Sequence, residues 1–148
     1  MRVTRDVVVT AAPTALWALL WDVPRMVACV PGCTEAREVE AQRRYAARMR
    51  QKVGPIALSV PLEVDILEAE PPRRIALRAR GRDPVIGAEI SMRVTLVCEP
   101  RDGGTALSID ADGQVLGKLG GLGHGVIQRK AEEAVDEFAA RIASAASG

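Results

Sequence analysis

The chain has 148 residues, 48% of them hydrophobic and 3% aromatic, with 20 Lys and Arg against 19 Asp and Glu. That length fits one domain burying roughly 68–70% of its unfolded surface, while a net charge of +1 lacks the long-range field that draws proteins to nucleic acid. No run of about 18 uncharged apolar residues occurs, and Met1-Arg2-Val3-Thr4-Arg5-Asp6 has no charged leader before an apolar stretch, so a soluble, cytoplasmic protein is expected.

Val3, Val7 and Val9 fall on one side of residues 2 to 10 and Arg2, Thr4 and Asp6 on the other, the period of two of a strand. Pro13 suits a first helical position, and Leu16, Trp17, Leu20 and Trp21 recur at helical spacing as far as Asp22. Pro24 permits a second short helix through Met26 and Val27, ended by Pro31-Gly32.

From about residue 33 to 115 the pattern is one strand after another. Ile56, Leu58, Val60, Leu62, Val64 and Ile66 share one face, opposite Ser59, Glu63 and Asp65; Ala88, Ile90, Met92, Val94, Leu96 and Cys98 repeat that alternation. Further inward rows are Tyr45, Ala47, Met49 and Val53; Ile75, Leu77 and Ala79; and Leu107, Ile109 and Ala111. Gly54-Pro55, Pro71-Pro72, Asp83-Pro84 with Gly87, and Asp102-Gly103-Gly104 supply turn chemistry between them, which predicts an antiparallel meander.

The segment from Gly113 to Gly125 then leads into a long amphipathic helix, with Ile127, Ala131, Ala134, Val135, Phe138 and Ile142 on one stripe. That stripe needs an apolar surface, and the concave side of the sheet is the one available. The expected architecture is α+β: a strongly curved seven-stranded antiparallel sheet wrapped around a long C-terminal helix, with two short helices between the first two strands, in one domain over residues 1–148.

Cys29, Cys33 and Cys98 are odd in number, and the lone histidine is His124. A zinc site needs about four ligands at recognisable spacing, so reduced, buried thiols are expected, and neither a metal nor a cofactor.

The order of elements resembles the helix-grip fold of the START-type, or SRPBCC, superfamily, which also includes polyketide cyclases. Leu16-Trp17-Ala18-Leu19-Leu20-Trp21-Asp22, Cys29-Val30-Pro31-Gly32-Cys33, Lys52-Val53-Gly54-Pro55-Ile56, Gly104-Thr105 and Gly117-Lys118-Leu119 resemble successive motifs of the family of the carbon monoxide dehydrogenase G protein, CoxG. The resemblance implies a hydrophobic cavity between sheet and helix, and an accessory role beside a molybdenum hydroxylase-type oxidoreductase, with membrane recruitment or binding of a quinone-like lipid. The chain stops a few residues after its helix, and Phe138-Ala139 stands where a second aromatic is often found in the family, so membrane contact is expected to be peripheral at most, at the inner face. A homodimer remains an option.

A thick aliphatic interior with few rings favours a non-catalytic protein that binds a small hydrophobic ligand. Its expected lining combines Leu58, Val60, Leu62, Leu77 and Met49 with Ile90, Met92, Val94, Leu107 and Ile109 from the later strands, and Leu122, Val126 and Ile127 at the start of the helix. Trp17 and Trp21, four apart on the first helix, either cap this pocket beside Pro31 or simply pack the core. Tyr45 and Gln51 are the polar groups on inward rows, suited either to orienting a ligand carbonyl or to reaching water at the barrel end.

The glycine cluster fails as a phosphate loop, since Gly113 to Lys118 is one residue short and Gly121-x-Gly123 lacks a third glycine. Gly117, Gly120, Gly121, Gly123 and Gly125 are instead candidates for a deformable gate over the cavity mouth, or for close packing of helix on sheet. Arg48, Arg50 and Lys52, with Arg74, Arg78 and Arg80, flank a strand bearing Glu63 and Asp65, which points to cross-strand ion pairing or to a docking face for an acidic partner. The enzymatic alternative uses His124 or Tyr45 as acid or base.

Overall fold

The computed structural model describes residues 1–147, without the side chains of residues 118–120. Alternating segments form β1 (Arg2–Val9), β2 (Cys33–Glu40), β3 (Arg44–Val53), β4 (Ile56–Glu70), β5 (Arg74–Asp83), β6 (Ala88–Arg101) and β7 (Gly104–Leu116). The helices are α1 (Pro13–Trp21), α2 (Val23–Ala28) and α3 (His124–Ser147), with a 3-10 segment over Gly117–Leu122. The strands make one sheet in the order β1-β7-β6-β5-β4-β3-β2, antiparallel throughout. The expected meander is therefore present, and β1 closes it by pairing with β7.

Period two places each residue because one face of the sheet is buried under α3 and the other meets water. Ala47 pairs with Leu62, and Leu77 with Val94, so the inner rows line up across strands. On the outer face Asp65 accepts hydrogen bonds from Arg44 at 3.1 Å and from Arg78 and Arg80 at 3.4 Å. Glu63 adds contacts to Arg44 at 3.4 Å and Arg80 at 3.1 Å. Of the expected cross-strand pairs, those of Arg78 and Arg80 form; Arg48 instead reaches Glu35 on β2 at 3.6 Å, and Arg74 reaches Glu68 at 2.5 Å. The exposed edge strand β2 is charged, shifts register twice against β3 and holds Glu35 at φ 57°, features that discourage edge-to-edge pairing.

One end of the sheet is plugged and the other is not. α1 sits at the plugged end, where the Thr105 hydroxyl donates to the Ala11 carbonyl at 2.6 Å and Leu16 and Leu20 are fully buried. α3 is fastened along β1: Arg5 donates to Asp136 at 2.7 Å, Gln128 donates to the Arg2 carbonyl at 3.0 Å, and the Thr10 and Ser147 hydroxyls lie 2.9 Å apart. Its buried residues, Phe138, Ala139 and Ile142, all lie in its C-terminal half. Ile127, Ala131, Ala134 and Val135 are half-buried, so the N-terminal half of α3 spans a space it does not fill.

Candidate ligand cavity between the sheet and the last helix

That space is a cavity of about 250 Å3. Its walls come from the inner rows of β3 to β7, from Met26, Val27 and Val30 at the end of α2, and from Ile127 to Phe138 on α3. The chemistry is aliphatic because every sheet residue here sits on the inner face of a period-two strand, and Ala79, Ala111, Ala131 and Ala134 leave room that larger side chains would occupy.

Among the residues expected to line a pocket, Met49, Gln51, Leu58, Leu62, Leu77, Ile90, Met92, Val94, Ile109 and Ile127 are brought together around this cavity. Val60 and Leu107 also face inward, but neighbours cover them completely and they serve as wall packing. Trp17 and Trp21 stack on each other with ring centroids 5.8 Å apart and an interplanar angle of 14°. They belong to α1 at the plugged end, which corrects the expectation that they cap the opening: helical spacing showed which face they share, but not which end of the sheet that face meets.

Tyr45 is buried, yet its hydroxyl donates to Glu38 at 3.4 Å across the β2–β3 edge, away from the cavity. Burial, with the Glu38 charge adding to it, raises its pKa and keeps the phenol protonated. Pro31 is outside the lining as well. Its carbonyl accepts from the Gln51 amide, and the neighbouring Val30 takes the wall position. Val126 is 39% exposed on the flank of α3, and Leu122 packs over the β3–β4 turn at Gly54.

Sequence patterning did not single out Met26, Val30, Cys33, Lys130 or Ala134 as lining, because the irregular α2–β2 connection carries no period and the helix stripe was assigned to the core. Cys33 behaves as a small apolar group, since burial pushes its thiol up to about 11.

The glycines divide into two kinds. At Gly117, φ is +82° and a Cβ would lie 2.1 Å from the Gly87 carbonyl oxygen, so this glycine clamps the end of β7 against the β5–β6 turn. That corrects its place in a gate. Around Gly121, Gly123 and Gly125 a Cβ would meet nothing within 4 Å, so close packing does not explain them. Gly120 lies outside the described residues. His124 is exposed at the first position of α3 and is not part of the cavity wall. No cluster of three or more His, Cys, Asp or Glu that could hold a metal occurs among the described residues, and none of their helices is long and apolar enough to cross a membrane.

Comparison with known proteins gives the same grouping. Among curated proteins none matches the chain. A conserved protein from Geobacillus kaustophilus superposes with a TM-score of 0.87 at 16% identity, over 99% of this chain and 95% of that one. The Zhui aromatase/cyclase from Streptomyces gives 0.68 at 18% identity, over 99% and 93%, and a Thermus thermophilus protein gives 0.73 at 15%, over 99% and 97%. These likenesses establish the helix-grip fold. The family model for CoxG, the G protein of carbon monoxide dehydrogenase, matches residues 6–147, and the chain belongs to that family.

Proposed function

We propose that this protein binds a small, largely apolar ligand between its sheet and α3, and does so as a non-catalytic accessory to a molybdenum hydroxylase of the carbon monoxide dehydrogenase type. The observation that carries the ligand reading is the 250 Å3 cavity, whose lining carries almost no polar surface. Its volume sits just below the roughly 300–1,000 Å3 of common small-molecule sites. The accessory role rests on the family match across residues 6–147.

A cyclase-like reaction finds less support. General acid–base work needs a titratable group within hydrogen-bond reach of the bound molecule, whereas the Tyr45 hydroxyl is directed at Glu38 and His124 is exposed on α3.

Native mass spectrometry of the purified protein, followed by solvent extraction, tests the ligand reading. A co-purifying apolar molecule is expected from the native chain and not from Ala134→Phe, which fills the cavity from the helix side. Recovery of the molecule from both would place it elsewhere. For the accessory role, the chain should co-purify with its hydroxylase, and charge reversal at Arg48, Arg50 and Arg78 tests whether the outer face of the sheet makes that contact.

A further inference from the structure

The cavity has a polarity that its aliphatic walls conceal. Lys130 is the charged side chain in its lining, and among the described residues no carboxylate lies within ion-pairing distance of it. One turn away Glu137 is already engaged, bonded to Arg141 at 2.9 Å. Lys130 is half-buried, and since the lining carries almost no polar surface, it gives the cavity its methylene stem while its ammonium stays at the rim, the usual division for a lysine beside an apolar surface.

The second polar group of the lining is Gln51, whose amide is committed to the Pro31 carbonyl. The rim thus offers a cation with ion-pairing capacity to spare. The third observation concerns the walls: Met1, Met26, Met49 and Met92, every methionine in the chain, line the cavity. Thioether chains are flexible and polarizable and repack around differently shaped apolar bodies.

We propose, resting on the ligand-binding reading above, that the cavity takes a single-chain amphiphile whose anionic head group pairs with the Lys130 ammonium at the rim while its apolar body lies among the four methionines. The cavity volume suits a chain of short or medium length. A carboxylate and a phosphate monoester share the recognising chemistry, since each presents anionic oxygens to an ammonium.

Calorimetric titration of the full chain with decanoate, decyl phosphate and decanol tests the assignment. Either or both anions should bind about tenfold or more tightly than decanol, the range of a charge-assisted hydrogen bond, and the tighter of the two identifies the head group. Lys130→Met and Lys130→Gln, both compatible with an exposed helical flank, should remove that preference, and Lys130→Arg should keep it. Decanol binding as tightly as both anions, or a preference that survives Lys130→Met, overturns the head-group assignment and leaves the cavity reading standing. If none of the three probes binds the native chain, both readings fall together.

Discussion

The Gln51 side-chain amide donates to the backbone carbonyl of Pro31 and so ties the α2–β2 connection to the inner face of β3. The same connection is held from the main chain, where the Arg50 amide donates to the Gly32 carbonyl at 2.8 Å. Val30 and Cys33, on either side of this latch, are cavity wall, which makes Gln51 a control on how firmly one side of the cavity is closed. Gln51→Leu keeps the volume and removes the donor. It should cost about 0.5–1.5 kcal/mol and accelerate amide hydrogen exchange across residues 29–33, with exchange in β5 to β7 unchanged. Equal acceleration throughout the sheet would mean global destabilisation and would remove the latch.

The two stacked tryptophans should behave as core. Trp17 is 9% exposed and Trp21 is half-exposed, so Trp17→Ala is expected to destabilise by about 3–5 kcal/mol and Trp21→Ala by less. Neither ring lines the cavity, so Trp21→Ala should leave ligand affinity within about twofold of native by calorimetry. A larger loss of affinity would return Trp21 to the binding site.

Strand order, the two-faced character of each strand and the covering helix were legible in the sequence, because a strand buried on one side writes its burial into every second residue. Ten of the eighteen expected lining residues meet around the cavity. The others share a correct face but lie at the wrong level along it, as do Leu107 near the plugged end and Trp17 on α1. Periodicity has no term for position along a curved sheet. Arg5 shows the same limit in reverse: it sits on the inner face opposite Ile109, where a charge is unexpected, and is accommodated because α3 brings Asp136 to it. The family motifs are legible as backbone geometry. A Cβ at Gly104 would lie 2.3 Å from the Val9 carbonyl oxygen, one at Gly32 would lie 2.1 Å from that of Arg50, and Thr105 bonds Ala11. These motifs hold strands, turns and connections at distances that a side chain would prevent.

Asp65 and Asp83 set the acid limit of stability. At Asp65, burial alone would raise the carboxyl pKa, but hydrogen bonds from Arg44 and Arg78, with the charges of Arg44 and Arg80, outweigh it and hold the value below the ordinary 3.8. Asp83 is lowered chiefly by the Ser59 amide, against burial and with help from the Val85 and Ile86 amides. A depressed folded pKa adds stability that is present above 3.8 and is lost as the pH falls through the folded values. Asp83→Asn should therefore be less stable than the native chain at neutral pH and should lose less stability than native on acidification, measured as urea midpoints from neutral pH down to about pH 3. Parallel acid limbs for the two proteins would show that Asp83 carries no such linkage.

The contrast between the clamp at Gly117 and the open space around Gly121, Gly123 and Gly125 yields the most discriminating comparison. Gly117→Ala puts a Cβ into the Gly87 carbonyl at a left-handed φ. The conformational term alone is about 1–2 kcal/mol, and the clash adds to it, so a large fall in thermal stability is expected. Gly125→Ala lies inside α3 and meets nothing, and it should stabilise by about 0.4–1 kcal/mol by restricting the unfolded chain. If this end of α3 moves aside to admit ligand, the stiffening has a kinetic signature. Gly125→Ala should slow association and dissociation together and leave the equilibrium affinity nearly unchanged. Gly123 cannot serve as a clean partner in the series, because its φ of +93° penalises any side chain, whereas Gly121→Ala meets open space and should act in the same direction as Gly125→Ala. Stopped-flow rates identical to native in both alanine variants would assign ligand entry to another part of the rim.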